Sequence, residues 1–119
     1  MERIAGLYKA LSEPARLRIL ALLRRHGELC ACDVEAALNA TQSKTSRHLR
    51  NLAATGLVRD RRDGVRVLYR ITDEADEDVR RVLEGFAPFA EAYGADEERL
   101  RGWLARKGQA GGAAAAPAG

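Results

Sequence analysis

The stretch Glu28 to Val34 reads E-L-C-A-C-D-V and holds both cysteines of the chain, Cys30 and Cys32, with one alanine between them. Thiolates are soft donors that favour thiophilic ions, whereas carboxylates alone would select magnesium or calcium. The N-terminus M-E-R-I-A-G-L-Y shows no basic segment followed by an apolar stretch and a small-residue cleavage site. The expected location is therefore cytoplasmic, where two neighbouring cysteines read as a metal or redox site rather than a structural disulfide. Their spacing sets a geometric problem, because residues two apart on an ideal helix point about 200° from each other. Cys30 is accordingly expected at the entrance of a helix, and closing both sulfurs on one ion is expected to distort its first turn. Packing of both as small apolar side chains is the bland alternative.

A second set of residues has the chemistry to touch nucleic acid. In T-Q-S-K-T-S-R-H-L-R, Gln42 can read adenine edges, Ser43, Thr45 and Ser46 can bond phosphates or bases, and Arg47 can take a phosphate or a guanine. Lys44 and Arg50 add charge to the same face. Further on, Arg61, Arg62 and Arg66 flank an Asp-Gly pair and can reach flanking backbone or a minor groove. Net charge is only +3, but it is segregated. From Thr41 to Arg70 eight basic residues stand against Asp60 and Asp63, whereas from Ile71 to Lys107 ten acids outnumber six bases. The first block suits nucleic acid and the second faces solvent or a partner chain. A merely solvated polar face is the alternative reading of such charge.

The elements that must carry these groups follow from periodicity. The 119 residues suffice for one compact domain with a modest core that oligomerisation would help. The longest aliphatic run, Ile19 to Leu23, is too short to span a bilayer, so no membrane partner is expected. Ile4, Leu7, Tyr8 and Leu11 predict an amphipathic first helix. Ser12-Glu13-Pro14 predicts a cap and an early proline for a second, central helix that stops at Gly27. A third is expected from about Cys32 to Leu38, and Thr41 is expected to cap a fourth running from Gln42 to about Thr55 with Leu49 and Leu52 inward. After Gly56 the pattern alternates. Asp63-Gly64 predicts a hairpin whose second strand turns Val65, Val67, Tyr69 and Ile71 to one face. A final long helix, capped by Thr72 or Asp73, is expected through Val79, Val82, Leu83, Phe86, Ala90 and Tyr93, with a kink at Pro88. A short helical pattern of Leu100, Trp103 and Leu104 follows, and residues 108–119 read as a disordered Ala/Gly-rich tail.

Two helices joined by a short break and followed by a two-stranded ribbon predict a mostly α fold with a β-hairpin, a winged helix-turn-helix. Ala10 to Leu20 (A-L-S-E-P-A-R-L-R-I-L), Glu28 to Val34, Thr41 to Leu49 (T-Q-S-K-T-S-R-H-L) and Gly56 to Ile71 (G-L-V-R-D-R-R-D-G-V-R-V-L-Y-R-I) together resemble the ArsR/SmtB family of bacterial repressors, over about residues 4 to 93. The resemblance implies one domain over residues 1–107 that forms a homodimer through its first and last helices. It also implies operator DNA as partner and release when a ligand binds.

In the members most similar to this chain, the C-x-C pair binds trivalent arsenic or antimony, so the resemblance implies arsenite or antimonite as inducer at Cys30 and Cys32. Some relatives add a third cysteine just downstream; here Glu35 stands three after Cys32, leaving the third ligand to water, hydroxide or a small cellular thiol. Zinc or cadmium is an alternative, with His26, Asp33 or Glu35 completing four ligands. A thiol redox switch, a constitutive DNA binder and a small thiol enzyme are others. The enzyme reading lacks support, because no phosphate loop, nucleophile-base pair or cofactor fingerprint occurs.

Overall fold

The computed structural model describes residues 1–73, 77–92 and 94–111, with backbone alone for 92 and 109–111. Helix α1 spans Glu2–Leu11 and α2 spans Pro14–His26; α3 is Ala31–Leu38 and α4 is Gln42–Ala54. A three-stranded antiparallel sheet is built from β1 (Glu28–Cys30), β2 (Val58–Asp63) and β3 (Arg66–Ile71). Then come α5 (Glu77–Phe86), a 3-10 segment (Ala87–Ala92) and α6 (Gly94–Gly111).

The helix ends have identifiable causes. Pro14 opens α2 where its missing N–H leaves no helical bond unmade. Ser12 does not cap α2 as expected: it ends α1, donating its hydroxyl to the Lys9 carbonyl at 2.6 Å, and Glu13 stands at the start of α2 without a capping bond. Gly27, at φ 84°, lets the chain leave α2 and enter β1 at once. Asn39 ends α3 in the left-handed region, and the Thr41 hydroxyl accepts the Lys44 N–H at 3.3 Å, which caps α4 as its sequence predicts.

The sheet differs from the expected ribbon by one strand. Glu28–Cys30 is too short to show alternation, yet it pairs with β3 and makes β3 the central strand, in the order β1-β3-β2. The hairpin turn is Gly64-Val65 rather than Asp63-Gly64: Asp63 pairs with Arg66, and Gly64 takes φ 67°. Val65 therefore leaves the predicted stripe and is 97% exposed, while Leu68, opposite Cys30, is buried.

Around α2 the core gathers Leu7 of α1, Ile19, Leu20 and Leu23 of α2, Leu29 of β1, Val34, Leu49, Leu52, Val79 and Leu100. Each such burial contributes roughly 1.5–3 kcal/mol. The expected single long last helix is instead α5 followed by the 3-10 segment that holds Pro88, whose ring removes one N–H and crowds the preceding turn. Tyr93 lies outside the described residues. Helix α6 seals the far side of α2 and α3, with Leu100 fully buried and Trp103 and Leu104 packed on the core. It runs on to Gly111, so the expected tail starts as helical backbone at Gly108; residues 112–119 lie outside the described residues. Among the described residues no helix is long and apolar enough to cross a membrane.

Candidate thiol site and nucleic-acid interface

Cys30 ends β1 and is the N-cap of α3, with φ −82° and ψ 166°, which places it off the helix as its spacing requires. Its sulfur accepts the Asp33 N–H at 3.4 Å, and the Asp33 carboxylate accepts the Cys30 N–H at 3.1 Å, a reciprocal capping box. Cys32 lies in the first turn and is exposed, whereas Cys30 is buried. The two sulfurs are joined as a disulfide across Cα atoms 5.4 Å apart. The pair meets here without distortion of the first turn, because Cys30 contributes from extended backbone. A bridge enclosing one residue restrains little of the unfolded chain, so it is a state of the thiols rather than a staple for the fold.

Asp33 is the third potential ligand, its carboxylate lying with both sulfurs in a group whose donor atoms are all within 4.8 Å of one another. It is fully buried and its oxygens are already engaged. Oδ1 accepts Trp103 Nε1 at 2.8 Å and Lys107 Nζ at 2.8 Å, while Oδ2 takes the Cys30 N–H. The Lys107 ammonium also stands 3.8 Å from Cys30 Sγ. His26 is drawn elsewhere, to Glu97 on α6 at 2.7 Å. Sequence reasoning missed this cover from α6, although Leu100, Trp103, Leu104 and Lys107 share one helical face and so announce that the lysine points inward.

Helix α4 presents Gln42, Ser43, Lys44, Arg47 and Arg50 to solvent and Ser46 half-buried. Thr45, expected on the same face, is instead 1% exposed: with Leu49 and Leu52 it lies at i, i+4 and i+7 on the buried stripe. Among the described residues its hydroxyl has no hydrogen-bond partner. His48 is tied to the core side of α4, its Nδ1 3.4 Å from the Arg16 guanidinium, which also bonds the Ala10 and Lys9 carbonyls at the end of α1. Burial, then the charges of Arg16 and Arg47, lower the His48 pKa below its ordinary value.

In the wing, Arg62 is exposed, whereas Arg61 is held by a two-pronged bond to Glu28 of β1 at 2.7 and 2.8 Å and Arg66 pairs with Asp63 at 3.1 Å. The Arg61 guanidinium, against a smaller opposing effect of burial, keeps the Glu28 carboxyl below the usual carboxylate range. Both pairs stay solvent-accessible, and exposed ion pairs of this kind are worth about 0–1 kcal/mol, so either arginine can exchange its partner for a phosphate.

Comparison with known proteins decides the relationship. Residues 13–60, from α2 to β2, match the bacterial regulatory protein, arsR family. The arsenical resistance operon repressor of Escherichia coli K12 is 36% identical over 95 residues, 80% of this chain and 76% of that one. The chain belongs to the arsR family. Its fold is that of a winged helix-turn-helix: the homodimeric DNA-binding domain Mb0332 of Mycobacterium bovis superposes with a TM-score of 0.63 at 36% identity, covering 76% of this chain and 80% of that one. The antimony-specific repressor AntR gives 0.58 at 37% identity, over 75% and 78%. The matched stretches span 62% to 76% of the length of three arsenic-resistance regulators. Membership in a family of regulators, not enzymes, removes the thiol-enzyme reading.

Proposed function

We propose that the chain is a cytoplasmic transcriptional repressor that binds operator DNA as a homodimer and releases it when Cys30 and Cys32 hold trivalent arsenic or antimony. The observation that carries this reading is the meeting of both sulfurs at the N-cap of α3, a helix packed directly on α4. Relatives named for arsenic resistance and a structural neighbour named as antimony-specific support the choice of ion. The capping role of Cys30 supplies the coupling. The joined sulfurs must first be reduced to two thiols, by a cellular dithiol that gives up two electrons and two protons and becomes a disulfide itself; once one of them is committed to an ion it is a poorer acceptor for the Asp33 N–H. The first turn of α3 then loosens, and α4 rests on α3.

On the DNA side, α4 would enter a major groove with Gln42, Ser43, Lys44, Ser46, Arg47 and Arg50, and the wing would follow the backbone with Arg62 and, after exchange of partners, Arg61 and Arg66. A dimer is supported by Tyr8 of α1 and Phe89 of the 3-10 segment, 61% and 67% exposed, which a second copy would cover. Two-fold symmetry predicts a near-palindromic operator with half-sites about one helical turn, roughly 34 Å, or a multiple of it apart.

Zinc or cadmium is less well supported, since the third protein donor, Asp33, is occupied. A redox-responsive repressor is the second reading, favoured by the joined sulfurs. One experiment separates them. The reduced protein–operator complex is titrated with arsenite, antimonite, cadmium, zinc and hydrogen peroxide, using the unmodified chain, Cys30→Ser and Cys32→Ser. The proposal expects release by the trivalent ions, loss of release in both variants and undiminished operator affinity. Release by peroxide alone selects the redox reading.

A further inference from the structure

We propose that Lys107 sets the ion selectivity of the thiol site, excluding divalent cations and admitting neutral trivalent hydroxides. This rests on reading Cys30 and Cys32 as ligands. The ammonium of Lys107 lies 3.8 Å from Cys30 Sγ and 2.8 Å from Asp33 Oδ1, with its side chain 19% exposed and that of Asp33 fully buried. A fixed positive charge thus stands beside the donor pair, anchored from a separate helix.

Two consequences follow, both unfavourable to zinc and cadmium. Such ions arrive as dications and complete four-coordinate sites. The charge of Lys107 opposes their approach, and the one further protein carboxylate in the group is withheld, because Lys107 and Trp103 both bond its Oδ1 and Cys30 bonds its Oδ2. Arsenous acid meets neither obstacle. It enters neutral, and two As–O bonds are exchanged for two As–S bonds while the two thiol protons leave with the displaced hydroxides as two waters. The third hydroxyl stays on arsenic, so no protein carboxylate is required. Starting from the dithiol that a cellular thiol reductant makes of the joined pair, this exchange itself needs no oxidant or reductant.

The test compares the reduced full-length chain with Lys107→Met, Lys107→Gln and Lys107→Arg. Cadmium affinity is read from sulfur-to-metal charge-transfer absorption with a competing chelator, and arsenite affinity from the same thiolate absorption region. Lys107→Met should bind cadmium at least about tenfold more tightly, a modest outcome for deleting a unit charge ~4 Å away. Arsenite affinity should stay within about threefold, by the same reasoning for a neutral ligand. Lys107→Arg, which keeps the charge, should leave both affinities as they were. Lys107→Gln retains a donor for Asp33 and removes only the charge, so it gives a several-fold cadmium gain and decides the matter if the methionine variant does not fold. Unchanged cadmium affinity in the methionine and glutamine variants, or equal gains for both ions, overturns the proposal. Failure of the unmodified chain to bind arsenite overturns the inducer reading instead, while the cadmium comparison still decides the part played by Lys107.

Discussion

Asp33→Ala is the substitution that tests most directly how α6 is held over the thiol site. The carboxylate is fully buried and accepts three hydrogen bonds, from Trp103 Nε1, Lys107 Nζ and the Cys30 N–H. Its removal leaves the ammonium of Lys107, 19% exposed, without its anion, and two N–H donors without acceptors. Breaking a buried ion pair from one side costs about 3–5 kcal/mol, a large share of the roughly 5–15 kcal/mol that keeps a domain of this kind folded. With a urea slope of about 2 kcal/mol/M, the unfolding midpoint should fall by about 2 M. The assay is urea unfolding of the reduced protein at one fixed chain concentration, since dimerisation makes the midpoint depend on concentration. The double variant Asp33→Ala with Lys107→Met should recover part of the loss, because removing both partners leaves no stranded charge. A midpoint within about 0.5 M of the unmodified protein, on the same urea slope, would show that the carboxylate does not hold α6 in place.

Thr45→Val should stabilise the protein by about 1 kcal/mol, since it removes a buried hydroxyl that has no partner among the described residues, and should leave operator affinity unchanged; a loss of affinity would mean that the hydroxyl reaches DNA. Arg62→Ala should lower the slope of log affinity against log salt by about 1, because one phosphate is no longer neutralised, and Arg61→Ala by less, because Glu28 already holds that guanidinium. Equal slopes for the two variants would contradict the ranking. His48, whose pKa is lowered in the fold, binds its proton more readily when unfolded, so its contribution to stability is present above the ordinary value of 6.5 and is lost as pH falls below it. His48→Gln should flatten the fall in urea midpoint between pH 7.5 and 5.5, and an unchanged fall would exclude this histidine as its source.

The parts of the fold that periodicity and end signals encode were legible: α2 with Pro14 at its start and Gly27 at its end, the Thr41 cap, the buried Leu49 and Leu52, and the placing of Cys30 at a helix entrance. Strand β1 was not, because three residues cannot display a two-residue alternation and its existence depends on an edge of β3 that lies forty residues away in sequence. The stripe predicted for Val65 to Ile71 failed at its start because the turn falls on Gly64-Val65 and takes Val65 out of the strand. Thr45 was misassigned by residue type, since a hydroxyl suggests a polar face, while its position relative to Leu49 placed it inward. Lys107 and Trp103 carried a signal in their spacing, but what they meet, Asp33, is seventy or more residues earlier and is fixed only by packing.

The way α3 is held determines where a disturbance at its N-cap must go. On one side α6 grips it at both ends: Lys107 and Trp103 reach Asp33, and Arg99 donates to the Ala37 carbonyl at 2.7 Å. Helix α6 is itself fastened to α2, where Arg18 grips the buried Asp96 with two bonds of 2.7 and 2.9 Å and Glu97 meets His26. On the other side α4 is attached through apolar packing of Leu49 and Leu52, while its His48 makes a long contact to Arg16 of α2 rather than to α3. Apolar contacts tolerate sliding by a fraction of a turn far better than paired, buried charges tolerate separation. On the proposed mechanism, ion binding at the reduced pair therefore shifts α4 and leaves α6 and α2 as a fixed frame. Amide hydrogen exchange of the reduced protein should show arsenite raising exchange in the first turn of α3 and in α4, with α6 still protected. Exchange that rises in α6 while α4 stays protected would overturn this ordering and make α6 the element that yields.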